Sequence, residues 1–155
     1  MSSRTYTFRE RVPTTPLIAT GSFGGALSAP RVVAAIARGL QAGRLPAPDL
    51  CPILDEEERR GDLRALLDAL DFDARMRRAR AVIVGEWRLQ ERTLAHSAAF
   101  EIATRARQAG VPAYAVTGEN RLDRFDARIL DLQAILEANG PRALTAAGRA
   151  LARLL

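Results

Sequence analysis

Two hydrophobic patterns alternate along this chain. Short, nearly unbroken apolar runs occur at Leu17-Ile18-Ala19, Ala81-Val82-Ile83-Val84 and Val111-Pro112-Ala113-Tyr114-Ala115-Val116. Between them lie stretches in which apolar residues return every three or four positions. The runs predict strands covered on both faces, and the spaced residues predict amphipathic helices. A first strand is expected over 15–20, with a glycine-rich turn at 21–25. Ser28 then serves as N-cap of a helix with Pro30 in its first turn, carrying Val32, Val33, Ile36, Ala37 and Leu40 on one face and closing at Gly43. A short second strand over 50–54 contains Pro52, which points to a sheet edge. Asp55 is expected to cap the next helix, with Glu56, Glu57 and Glu58 at its positive end and Leu63, Leu66, Leu67 and Leu70 as its buried stripe.

A charged connector follows over 71–80, anchored by Phe72 and Met76, and leads into a strand at 81–84. The stretch 85–97 is expected as a loop. A helix starting between Thr93 and Ser97 carries Leu94, Ala98, Ile102 and Ala106 and ends at Gly110. After the strand at 111–116, residues 126–130 are expected as a strand and 132–155 as helix interrupted at Gly140-Pro141. Strands alternating with helices predict an α/β fold, a single doubly wound, mainly parallel sheet flanked by helices. An arm over 1–13 precedes one domain over 14–155. In such sheets ligands sit beyond the carboxyl ends of the strands, which selects the segments 21–25, 55–58 and 85–97.

Composition narrows the chemistry. The 155 residues carry 23 Lys plus Arg against 18 Asp plus Glu, and every one of those 23 cations is arginine. No lysine is present to form a Schiff base or to act as a general base. A single cysteine, Cys51, excludes an internal disulfide framework and is expected to be buried. No apolar run reaches the length of a membrane helix, and the first residues have no apolar signal-peptide core, so a cytoplasmic protein without a membrane partner is expected. The densest basic cluster is Arg75, Arg77, Arg78 and Arg80. Without interleaved aromatics it argues against a nucleic-acid partner.

The motifs at these loops carry a resemblance. The run 18–40, IATGSFGGALSAPRVVAAIARGL, resembles the bacterial two-domain glycerate kinases, which have I-A-P-D-S-F-K-G-S-L-S-A there. The run 51–60, CPILDEEERR, stands where that family has L-P-V-A-D-G-G-E-G-T. The run 79–118 is similar to A-D-L-V-I-T-G-E-G-R-L-D-x-Q-T-x-x-G-K followed by a helix and G-V-P-V-I-A-L-A-G. The resemblance implies the α/β domain built from the two ends of those kinases, with their middle domain absent at about 59–72.

It also implies a ligand set at the retained polar positions: Ser22, Asp55, Glu58, Glu86, Arg88 and Thr93. Several family positions are replaced. Gly21 stands for an acid and Gly24 for a lysine, Glu56, Glu57 and Arg59 for glycines, Trp87 for glycine, Gln90 for an acid, and His96 and Ser97 for glycine and lysine. Phosphoryl transfer needs cations and bound Mg²⁺ around the developing charge, so no catalytic residue and no metal site is assigned. The expectation is a glycerate kinase-like pseudoenzyme that binds a small organic acid or a protein. The alternative is a residual or partner-complemented glycerate kinase using Mg-ATP. Trp87 is expected to cover the face of the missing domain or to anchor a homodimer or other protein partner. Glu86 with Arg88 is expected as an ion pair or cap after the strand, and His96 as a surface or capping residue.

Overall fold

A computed structural model describes residues 12–55, 62–91 and 97–155. The order of elements is β1 (Leu17–Thr20), α1 (Ala29–Ala42), β2 (Asp49–Pro52), α2 (Leu63–Ala69), α3 (Phe72–Arg77), β3 (Val82–Leu89), α4 (Ala98–Ala109), β4 (Ala113–Asn120), α5 (Arg124–Leu130), β5 (Leu132–Glu137) and α6 (Pro141–Leu154). The five strands form one sheet in the order β2-β1-β3-β4-β5, with every pair parallel. Pro52 sits on the edge strand β2, where its missing N–H breaks no interior ladder.

Alternation along the strands divides the core. Leu17, Ala19, Val82, Val84, Ala113 and Ala115 face a layer that contains Leu67, Phe72, Met76, Ile102 and Ala106 from α2, α3 and α4. Ile18, Ile83 and Val116 face α1 and α6, through Val32, Ile36, Leu40, Leu144 and Leu151. The α1–α6 crossing is unusually close. A Cβ built on Gly39 would lie 2.7 Å from Gly148 Cα, and one on Gly43 would collide with Ala152.

Four expectations change. Strand β3 continues through Glu86, Trp87 and Arg88 to Leu89, so this stretch is not loop: it pairs with β4 as far as Leu89↔Asn120. Residues 124–130 are helix rather than strand, because Asp123 caps them by accepting from Asp126 N at 2.8 Å. Residues 132–137 are strand rather than helix, because pairing with β4 overrides their helix propensity. The helix bearing the leucine stripe starts at Leu63 and is capped by Asp62, which accepts from Ala65 N at 2.7 Å, rather than by Asp55. The connector over 71–80 contains a further helical turn, α3, whose Phe72 and Met76 are buried. No helix among the described residues is long and apolar enough to cross a membrane.

Candidate functional site

Sheet topology reverses between β1 and β3. The chain leaves β1 toward α1 on one face, and leaves β3 toward α4 on the other. The carboxyl ends of these two strands therefore open a crevice where ligands bind in doubly wound folds. Gly85 permits the close approach there, since a Cβ would lie 2.6 Å from Thr20 Cγ2. The Thr20 hydroxyl is fully buried and has no hydrogen-bond partner among the described residues.

Two aromatic side chains bridge this crevice. Phe23, from the turn after β1, meets Trp87, from β3, edge to face with ring centroids 6.0 Å apart. Phe23 is buried, whereas Trp87 remains 39% exposed. The indole lies over Gly118 of β4, with Cε3 only 2.3 Å from where a Cβ would stand. Gly24 is in the left-handed region at φ 64°, and its Cβ direction ends 3.9 Å from Trp87 Cε2. Trp87 and Gly24, two of the replacements inherited from the motif comparison, are thus neighbours in space.

The retained polar residues find partners within the chain. Ser22 Oγ donates to Asp55 Oδ2 at 2.6 Å, joining the turn after β1 to the end of β2. Glu86 Oε1 accepts from Ala99 N at 3.4 Å, in the first turn of α4, where Ser97 Oγ accepts from Phe100 N at 3.0 Å. Arg88 Nε donates to Glu119 Oε2 at 2.8 Å. Glu86 and Arg88 therefore serve different neighbours. Glu58, Thr93 and His96 lie outside the described residues.

Glu119 and Arg121 carry no sequence motif, yet they complete this edge. Arg121 Nε donates to Glu119 Oε1 at 2.5 Å, so one carboxylate joins two guanidiniums. The hydrogen bond from Arg121, with a smaller contribution from Arg88, holds the Glu119 carboxyl below its usual range. The buried Thr117 hydroxyl lies 3.3 Å from Trp87 O and 3.1 Å from Glu119 O, and Arg121 N donates to Leu89 O at 2.8 Å. These contacts lash the tips of β3 and β4 together. Register could have revealed the pair: Arg88 stands opposite Glu119 only once β3 is known to run this far.

The arginines of the basic cluster play different parts. Arg75 turns inward from the basic cluster. Its Nε and Nη2 donate to Asp49 at 2.9 and 2.7 Å, Nη2 to Leu50 O, and Nη1 to Leu70 O. Beneath it burial pushes the Cys51 thiol up, with Arg75 opposing more weakly. Arg77 and Arg80 line an open cavity of about 540 Å³ at the opposite, amino-terminal edge of the sheet, with Val12, Pro13 and Pro112. Among the described residues no group of three or more His, Cys, Asp or Glu could hold a metal ion.

The family model described as Glycerate kinase family matches residues 53–155. Among curated proteins no sequence matches the chain. Similar solved structures include glycerate kinase 2 from Salmonella typhimurium LT2, with 19% identity and a TM-score of 0.46 over 69% of this chain and 27% of that one. A pilus assembly-related protein from Burkholderia pseudomallei K96243 is similar at 14% identity and a TM-score of 0.49, covering 92% of each chain. The diflavin flavoprotein A3 from Nostoc sp. is similar at 12% identity and a TM-score of 0.46, covering 90% of this chain and 91% of its own.

Proposed function

The chain belongs to the Glycerate kinase family, and from that premise we propose that it binds a small organic acid at the carboxyl edge of its sheet without transferring phosphate. The observation that carries this reading is the meeting of Trp87 with Gly24. In the kinase motifs these positions are glycine and lysine. Here the position of the lysine has become a glycine in the left-handed region, and the indole lies against it. A lysine restored at 24 would be strained by that backbone conformation, and its Cβ would stand in contact with the indole. The exchange removes a cation from the crevice and puts an aromatic plug across it. Losing one such group from a dry site typically costs on the order of 10²–10³ in rate.

Three further features support the reading. Asp55 is engaged by Ser22, leaving less of its charge for Mg²⁺. The link from β2 to β3, with its short helices α2 and α3, we read as the join where the resembling kinases carry their middle domain; the match to glycerate kinase 2 covers 27% of that chain. Trp87 offers its exposed edge to the ligand or to a protein partner, a second copy of the chain included. The partner-complemented kinase remains the competing reading, in which another chain supplies the facing domain and Mg-ATP.

The test is the melting temperature with D-glycerate, phosphoglycerate or Mg-ATP at millimolar concentration. A ligand at 100 times its Kd adds about 2.7 kcal/mol, a rise of several degrees for a chain of this size. We expect the acids to raise Tm, and Asp55→Asn to abolish the rise. No rise with any acid would refute the binding role and redirect attention to whatever covers Trp87.

A further inference from the structure

Arg88 and Arg121 differ from the structural arginines in what they leave over. Arg75 engages Nε, Nη1 and Nη2 within the chain, and Arg105 engages Nε with Glu101 and Nη1 with Asp73. Arg88 and Arg121 each use only Nε, and both on the same carboxylate. Their terminal nitrogens have no partner among the described residues, and the side chains are 41% and 52% exposed. Two like charges do not normally sit side by side. Glu119 overcomes that repulsion and holds both guanidiniums at one place on the carboxyl edge, beside Trp87, on strand tips lashed by Thr117 and by the Arg121 N–H. The cluster keeps a net positive charge, with donors that match the oxygens of a phosphate.

We propose that Arg88 and Arg121 form a site for a phosphate monoester dianion, with Glu119 as the positioning residue. The inference deepens the reading of the chain as an acid binder and names the class of acid, one that carries a phosphate. Arginine binds phosphate through paired terminal N–H groups, and those are the groups left over here. Glu119 brings the two forks together and competes only at Nε.

Inorganic phosphate is the probe, followed by ³¹P line broadening on the full chain at fixed ionic strength. Arg121→Ala and Arg88→Ala should each weaken phosphate about tenfold, the loss of one charge-assisted hydrogen bond at an exposed site. Arg149→Ala, on α6, should leave it unchanged. Glu119→Ala is the decisive variant. Bulk electrostatics predicts tighter binding when a negative charge goes, whereas loss of positioning predicts binding at least severalfold weaker. Equal weakening by Arg149→Ala, or tighter binding in Glu119→Ala, would overturn the site. Melting curves of each variant separate these effects from misfolding. If glycerate raises Tm while phosphate does not bind, this inference fails and the acid-binding role stands. If phosphate binds through Arg121 and raises Tm, but D-glycerate raises nothing and phosphoglycerate adds nothing beyond phosphate itself, the site stands and the organic-acid role fails.

Discussion

Gly118 shows how much one residue decides at this edge. Its missing side chain is the space in which the Trp87 indole rests, with Cε3 and Cζ3 at 2.3 and 2.4 Å from a built Cβ and Trp87 O at 2.8 Å. Gly118→Ala should therefore lift the indole off β4 and break its contact with Phe23. Trp87 is the only tryptophan, so its fluorescence reads this change without interference. A red-shifted emission maximum and a stability loss of about 1–3 kcal/mol are expected. An unshifted spectrum would mean that the indole does not rest on Gly118. The composition made Trp87 conspicuous from the start. Its seat depends on a glycine 31 positions later, which only the β3–β4 register brings into contact.

Among the elements, the α1–α6 pair is the tightest. A Cβ on Gly39 would stand 2.0 Å from Thr145 O, and one on Gly148 would stand 2.3 Å from Ile36 O. Thr145 Oγ1 also lies within hydrogen-bonding distance of Ala35 O, at 3.1 Å, across the same contact. Backbone has little room to retreat, so Gly39→Ala should cost about 3 kcal/mol and lower Tm by on the order of 10 °C. A thermal melt within a degree or two of the parent would contradict the close crossing. The helical stripe on α1 and the left-handed cap at Gly110, φ 70°, were legible from periodicity and glycine placement alone. By contrast β5 was not, because Leu132-Gln133-Ala134-Ile135-Leu136-Glu137 is composed mostly of good helix formers and becomes strand through its pairing with β4. The outer half of β3 escaped for a related reason: Glu86, Trp87 and Arg88 interrupt the apolar run that marks a buried strand. Local sequence points to Asp55 as the cap of the leucine-striped helix, whereas Asp62 caps it and Asp55 accepts from Ser22 instead.

For the whole molecule, the parallel five-stranded sheet and its crevice follow from the alternation of patterns, while the chemistry of the crevice follows from replacements that a motif alone leaves ambiguous. Ser22, Asp55, Glu86 and Arg88 were visible as candidates, but their partners were not. Glu119 and Arg121 were missed because nothing in their local sequence distinguishes them from the other charges of a chain rich in arginine. Family membership carries the fold further than it carries activity, and under the proposed reading the aromatic pair of Phe23 and Trp87 is where the two part. The measurement that tests this most directly is a ³¹P spectrum of the chain incubated with Mg-ATP and D-glycerate. A crevice that binds without transferring phosphate leaves the ATP resonances in place, and no phosphoglycerate signal grows. A phosphoglycerate signal that increases with protein concentration and disappears in Asp55→Asn would contradict binding without transfer, and would make the crevice a working kinase site.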